Sequence, residues 1–382
     1  MKICILTQPL SNNYGGILQA YALQRVLREQ GHDAWTLDRS LPAYPFLRKC
    51  RTSIRRAIDY NILGRKAVGR RAWMWPTPGQ EAILHQHTRR FVQQRMQLFS
   101  LPPKKSDPFS CILEHGFDAY VVGSDQVWRP CFSPELFAFF LDFTGNAKVR
   151  RVSYAASFGT DQWEFDQLIT ERCTQLARNF DCISVREDSG VELCSNYLGV
   201  EAVQMPDPAL LLSRKAYEDL ADEMPHQIPE SPFLCSYILD PHREKEEFIS
   251  RLAKSQNLRT YSPMPKRHFF DARNSQIQDS VYPGVEAWLS AIRHSQLVVT
   301  DSFHGCLLSL IFGKPFYLFR PTYRGAARID SLLRLFSLLD ERNCIIAPSY
   351  VDFLECDLTH VTARLDRLSL QGSEYLATHL PA

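Results

Sequence analysis

No run of apolar residues in this 382-residue chain approaches the ~20 needed to span a bilayer. The opening MKICILTQPL reaches Gln8 after an apolar run far shorter than the core of a signal peptide. The chain is therefore expected to be cytoplasmic, at most attached to the inner face of the cell membrane. An excess of one charge is also missing: the formal net charge is +2, which points to no polyanionic partner such as nucleic acid. CxxC pairs are absent, and the eleven cysteines follow no regular spacing. Cys4, Cys306 and Cys344 lie inside apolar runs and read as small buried hydrophobes, so neither a disulfide framework nor a zinc site is indicated. The first strand–turn–helix carries neither GxGxxG nor a Walker lysine, which argues against a nicotinamide dehydrogenase. Low-complexity tracts and internal repeats are lacking as well.

What is present is an alternation of short apolar strands with helical periodicity, the mark of α/β architecture with parallel sheets. Strands are predicted at 3–7, 34–37, 118–125, 151–157 and 182–187, with helices at about 17–29 and 164–178. From Phe233 the alternation restarts: FLCSYIL, a helix over 243–254, a helix VEAWLSAIRHS, the strand LVVTDS, the helix HGCLLSLIF, the strand PFYLF and a helix over 328–337. This length suits two domains. The first is placed at 1–206 with a basic insertion at about 39–110, and the second at 207–382, its last helix a candidate to fold back on the first. Two such units facing one another leave a cleft between strand ends, where open α/β sheets bind ligands.

Four stretches bear chemistry. In QPLSNNYGGILQAYAL, Asn13, Tyr14, Gly15 and Gly16 sit where a helix N-terminus can meet an anion; a tight turn needing glycine at positive φ is the plainer reading. In YVVGSDQVWRP, Ser124, Asp125, Gln126 and Trp128 follow a strand, and an indole offers a flat face to a sugar. Asp125 reads equally as an N-cap and Trp128 as a core residue. Arg186, directly after the strand CISV, suits bidentate capture of carboxylate or phosphate, against a surface pair with Glu187 or Asp188. In TDSFHG, Asp301 or Ser302 suffices to cap the helix, which leaves His304 for chemistry or for burial as a satisfied ring. Gly305 beside it would let a ligand approach the backbone, and Arg320, Arg324 and Arg328 follow downstream towards the same cleft. Between Arg39 and Arg95 thirteen Lys/Arg face two acids, with Trp73-Met74-Trp75 among them. That segment reads as a solvated basic face or as a peripheral contact with anionic lipid.

Taken in order, NNYGGILQAYALQ, DAYVVGSDQVW, RVSYAASFG, ISVREDSGVELC, MPDPALLL and VVTDSFHGCLLSLIFGKPF resemble the polysaccharide pyruvyl transferase family, over roughly residues 1–335. The resemblance implies two Rossmann-like domains facing across a cleft, a GT-B-like fold. It also implies transfer of pyruvate from phosphoenolpyruvate to a hydroxyl pair on a glycan or lipid-linked sugar, with no metal and no cofactor beyond that donor substrate. On this basis His304 is the general acid or phosphate ligand, and Asp207 a candidate base, or else a turn former between prolines. Arg186, Ser302, Phe303, Gly305 and either Arg324 or Arg328 lie on the donor side. Asn13, Tyr14, Gly15, Gly16, Ser124, Asp125, Gln126 and Trp128 lie on the acceptor side. A GT-B glycosyltransferase using a nucleotide sugar and a non-catalytic glycan-binding protein are the alternatives.

Overall fold

The computed structural model describes residues 1–39, 76–101, 109–223, 228–269, 274–320, 326–338, 345–347, 351–354 and 358–381. Most of the basic segment, 40–75, with its Trp73-Met74-Trp75, lies outside the described residues, as does Arg324. The first sheet holds β1 (Lys2–Leu6), β2 (Asp33–Asp38), β3 (Leu98–Ser100), β4 (Ala119–Gly123), β5 (Arg150–Ala156), β6 (Cys182–Val185) and β7 (Val203–Gln204). Their order is β3-β2-β1-β4-β5-β6-β7, every pairing parallel. Side chains alternate across it: Ile3, Ile5 and Val121 point to one face, Cys4, Leu6, Tyr120 and Val122 to the other. Both faces are covered, which is why β4 reads as an unbroken apolar run.

The second sheet comprises β8 (Phe233–Tyr237), β9 (Arg259–Tyr261), β10 (Leu297–Thr300), β11 (Phe316–Phe319), β12 (Ile345–Ala347) and β13 (Val351–Leu354), in the order β12-β13-β11-β10-β8-β9. Four strands run parallel, as expected of such a sheet, and at its edge β13 is antiparallel to both β11 and β12. β12 and β13 thus form a two-stranded antiparallel edge beside β11. The two sheets are Rossmann-like and meet across a cleft, a GT-B-like arrangement.

Two helices matter most for the cleft. Tyr14–Glu29 begins three residues earlier than periodicity predicts, because Asn13 caps it by accepting from Gly16 N–H at 3.1 Å. Phe303–Phe312 is capped by Ser302, ends on Gly313 at φ 63, and is buried on all sides, as its uniformly apolar sequence requires. The last helix, Leu358–His379, returns to the first lobe. Tyr375 donates to Ser153 O at 3.3 Å, Ser369 to Leu211 O at 2.9 Å, and Arg150 reaches His379 O at 2.9 Å.

Candidate active site

Strand ends bring the chemistry together. The first sheet reverses its winding between β1 and β4, and the second between β8 and β10. Side chains just beyond carboxyl ends at such points face a shared crevice. From the first lobe come Asn13, Ser124, Asp125, Arg186 and Asp207; from the second come Ser302, Phe303 and His304.

At the centre lies one carboxylate oxygen. Asp207 Oδ2 accepts from Arg186 Nη1 at 2.7 Å and from Ser124 Oγ at 3.2 Å, and His304 Nε2 stands 3.6 Å away from it across the lobe boundary. Its other oxygen accepts from Ala209 N–H at 3.0 Å. Burial alone would raise this carboxyl, but the charges of His304 and Arg186 outweigh it and hold Asp207 well below the usual carboxylate range. An acid so firmly ionised has little appetite for a proton. Asp207 thus stands as the buried counter-ion beside Arg186 and His304, a placement that argues against its candidate role as base for an acceptor hydroxyl.

Arg186 is buried and gripped twice, since its Nε also donates to Glu187 Oε1 at 3.3 Å. Glu187 in turn accepts from Ser157 Oγ at 2.6 Å, so it belongs to the core of the site rather than to a surface pair. Three buried polar atoms here, Arg186 Nη2, Glu187 Oε2 and His304 Nε2, have no hydrogen-bond partner among the described residues. Groups so placed cost folding free energy unless a ligand meets them. Phe303 presents its ring to two guanidinium groups, with Arg186 Cζ 4.5 Å and Arg328 Cζ 6.0 Å from the centroid. Burial and the neighbouring Arg186 charge lower Arg328 to about 10, so it stays protonated at neutral pH. Phe303 was expected on the donor side, but the arginines directly after β6 and two residues into the helix Ala326–Leu335 carry no spacing signal that would link them to its ring.

The lobes touch at His304. A Cβ on Gly15 would lie 2.0 Å from His304 Nδ1, so the imidazole rests directly on a glycine of the other lobe. The N-termini of Tyr14–Glu29 and Phe303–Phe312 thus converge on the ring, and both present the positive end of a helix dipole. Neither Gly15 nor Gly16 has positive φ, so the pair is there for lack of side chain and not for a turn. Gly16 leaves room for Asn13, whose Nδ2 donates to Asp125 Oδ2 at 2.9 Å. Asp125 adopts a left-handed φ of 72 and makes no helix cap.

The family model described as polysaccharide pyruvyl transferase matches residues 13–323. The chain belongs to that family. No curated protein matches it. Solved structures similar to it include the UDP-GlcNAc 2-epimerase from Neisseria meningitidis bound to UDP-GlcNAc, at 11% identity over 100% of this chain and 99% of that one, TM-score 0.49. The putative UDP-N-acetylglucosamine 2-epimerase from Listeria monocytogenes follows at 11% identity over 99% and 89%, TM-score 0.48. MurG from Acinetobacter baumannii shows 10% identity over 88% and 84%, TM-score 0.42.

In this member of the polysaccharide pyruvyl transferase family, several expected ligand residues do other work. Trp128 is wholly buried, donates its indole N–H to Phe139 O at 3.0 Å and stacks on Phe140, so it offers no face to a sugar. Its apolar area is worth more in the core beneath the loop than exposed. Tyr14 is likewise buried: it stacks on Trp288 at 5.2 Å and donates to Pro283 O at 2.9 Å, fastening the lobes instead of meeting an acceptor. A Cβ at Gly305 would strike Thr300 Oγ1 at 2.2 Å, so that glycine admits strand β10 and not a ligand. Gln126 accepts from Arg129 Nη1 at 3.2 Å and packs on Gly159. Ser302 spends its hydroxyl on the helix cap, and Asp301 binds Lys245 and the N–H groups of Leu239 and Asp240. Arg320 pairs with Asp330. No described helix is long and apolar enough to cross a membrane.

Proposed function

We propose that this chain moves pyruvate from phosphoenolpyruvate onto a hydroxyl pair of a sugar in a cell-surface polysaccharide precursor, forming a cyclic ketal. The observation that carries the reading is the cluster of Arg186, His304 and Asp207 with Arg328 beside it, where buried Arg186 Nη2 and His304 Nε2 have no hydrogen-bond partner among the described residues. A small donor bearing a carboxylate and a phosphate matches two guanidinium groups and two helix N-termini. Arg186 and Arg328 hold those anions on either side of Phe303. His304 Nε2 delivers a proton to the methylene carbon, and Asp207 supports the imidazolium. The resulting oxocarbenium-like carbon takes a sugar hydroxyl, phosphate leaves, and the second hydroxyl closes the ring, the two hydroxyl protons passing to His304 and the departing phosphate. General acid assistance of this kind is worth roughly 10²–10⁴-fold, with positioning and charge complementarity adding to it.

The acceptor lies along Asn13, Gly16, Ser124 and Asp125, which the strand and helix ends of the first lobe bring to the same cluster. A lipid-linked acceptor at the inner face of the membrane suits the basic segment 39–95. The donor is consumed as a substrate, and neither a separate cofactor nor nucleic acid enters the reaction. The test is phosphate release from phosphoenolpyruvate by wild type and His304→Ala, across a panel of lipid-linked or nitrophenyl galactosides and N-acetylmannosaminides. Acceptor-dependent release that the variant loses is expected. Thermal stabilisation by uridine diphosphate and not by phosphoenolpyruvate would overturn the reading in favour of a nucleotide-sugar enzyme.

A further inference from the structure

The helix Ala326–Leu335 follows β11 of the second lobe, yet it is fastened to the first. Ser331 Oγ accepts from Asp188 N–H at 3.2 Å and from Gln204 Nε2 at 2.9 Å. Arg334 grips Asp188 bidentately, Nε to Oδ2 at 2.6 Å and Nη2 to Oδ1 at 2.8 Å. Gln204 Nε2 also donates to the backbone carbonyl of Arg186 at 3.1 Å. One amide therefore ties the backbone of Arg186 to a hydroxyl three residues after Arg328. Arg328, Ser331 and Arg334 recur at three-residue spacing, so they share a face of the helix. None of Asp188, Gln204, Ser331 and Arg334 belongs to the cluster around Asp207, but each contacts the backbone or helix that carries one of the two guanidinium groups flanking Phe303.

We propose that these four residues form a clasp across the lobes that sets the separation of Arg186 and Arg328, and hence the affinity for the anionic donor. They are positioning residues, and the inference rests on the reading of the two arginines as donor ligands. Opening the clasp leaves Asp207 and His304 in place, so it weakens donor capture without altering the chemical step. An ion pair at the surface with bidentate geometry is worth roughly five-fold in an equilibrium constant.

The experiment compares full-length wild type with Asp188→Asn, Arg334→Gln, Ser331→Ala and the charge exchange Asp188→Arg with Arg334→Asp, by steady-state phosphate release at varied phosphoenolpyruvate. Each single change is expected to raise KM about five-fold with kcat within about two-fold, and the exchange to recover most of the loss. Unchanged KM in the single variants, or a fall in kcat and Tm at constant KM, overturns the clasp, as does an exchange no better than its parents. Should wild type neither bind nor turn over phosphoenolpyruvate, the functional reading fails by itself. The clasp is then judged by amide hydrogen exchange over 326–335: faster exchange there in Asp188→Asn and Arg334→Gln upholds it, and unaltered exchange refutes it.

Discussion

Replacing Asp207 by asparagine keeps the shape of the side chain and removes the charge on which the site converges. Its Oδ2 is the shared partner of Arg186 and Ser124 and the nearest anion to His304. Breaking a buried ion pair from one side costs about 3–5 kcal/mol, because the surviving charge is left without its partner. Glu187 still holds Arg186 Nε at 3.3 Å, which places the expected loss near the lower end, about 3 kcal/mol. For a chain of this length that corresponds to roughly 4 °C in Tm. With His304 deprived of its anion and Arg186 free to rotate, turnover should fall on the order of 10²-fold. The pH dependence follows from the depressed carboxyl. Its contribution to stability is complete above the ordinary aspartate value near 4 and drains away only as pH falls below it. The Tm gap between wild type and Asp207→Asn should therefore be flat from about pH 5 to pH 9 and shrink below about pH 4. Thermal melts across that range, paired with phosphate-release kinetics, make the assay. A Tm within about 1 °C of wild type with turnover preserved would refute the counter-ion argument, and a gap that opens between pH 5 and 7 would restore Asp207 as a base.

Gly15→Ala should force its methyl group into the His304 ring, since the Cβ would lie 2.0 Å from Nδ1, and either the ring or the lobe must move. Displacement of about 1 Å costs about 10²-fold in turnover, which kinetics with the same donor would register. Trp128→Ala should destabilise by about 3–5 kcal/mol in urea unfolding, whereas Trp128→Phe should leave the acceptor KM unchanged; an acceptor-specific defect in the latter would reinstate the indole as a sugar platform. Tyr14→Phe removes a hydroxyl bound to Pro283 O and should cost about 1 kcal/mol, seen as a lower midpoint without loss of the aromatic stack on Trp288.

Architecture was legible because its physics is local. Strands buried on both faces are continuous apolar runs, and the periodicity of Arg243–Ser255 and Val285–His294 is that of ordinary amphipathic helices. His304 and Arg186 stood out for a related reason: Arg186 directly follows β6 and His304 lies in the first turn of the helix after β10, and the structure brings the two around Asp207. What sequence could not convey is which groups meet across the lobes. Gly15 reads as a turn residue until the ring of His304 is laid on it, and Asp207 reads as a base until two cations are found around it. Trp128 and Tyr14 failed differently. Both lie in loops or at a helix start beside polar neighbours, and only tertiary packing reveals that the indole and the phenol are enclosed. The edge β12 and β13 was missed because two short strands beside polar residues carry no alternation long enough to read.

The helix Leu358–His379 gives the first lobe a dependence on the far end of the message. Gly372 sits where a Cβ would meet Tyr154 Oη at 2.2 Å, and Tyr375 lies over the same strand, so this segment completes the cover of β5. During synthesis residues 1–204 leave the ribosome with that surface bare, and it stays bare until the second lobe has been translated. The lobe made first is thus finished last. Expressed alone, it would display Tyr154 and the rest of that face of β5 to solvent, and a chaperone that shields apolar surface on nascent chains would find its site there.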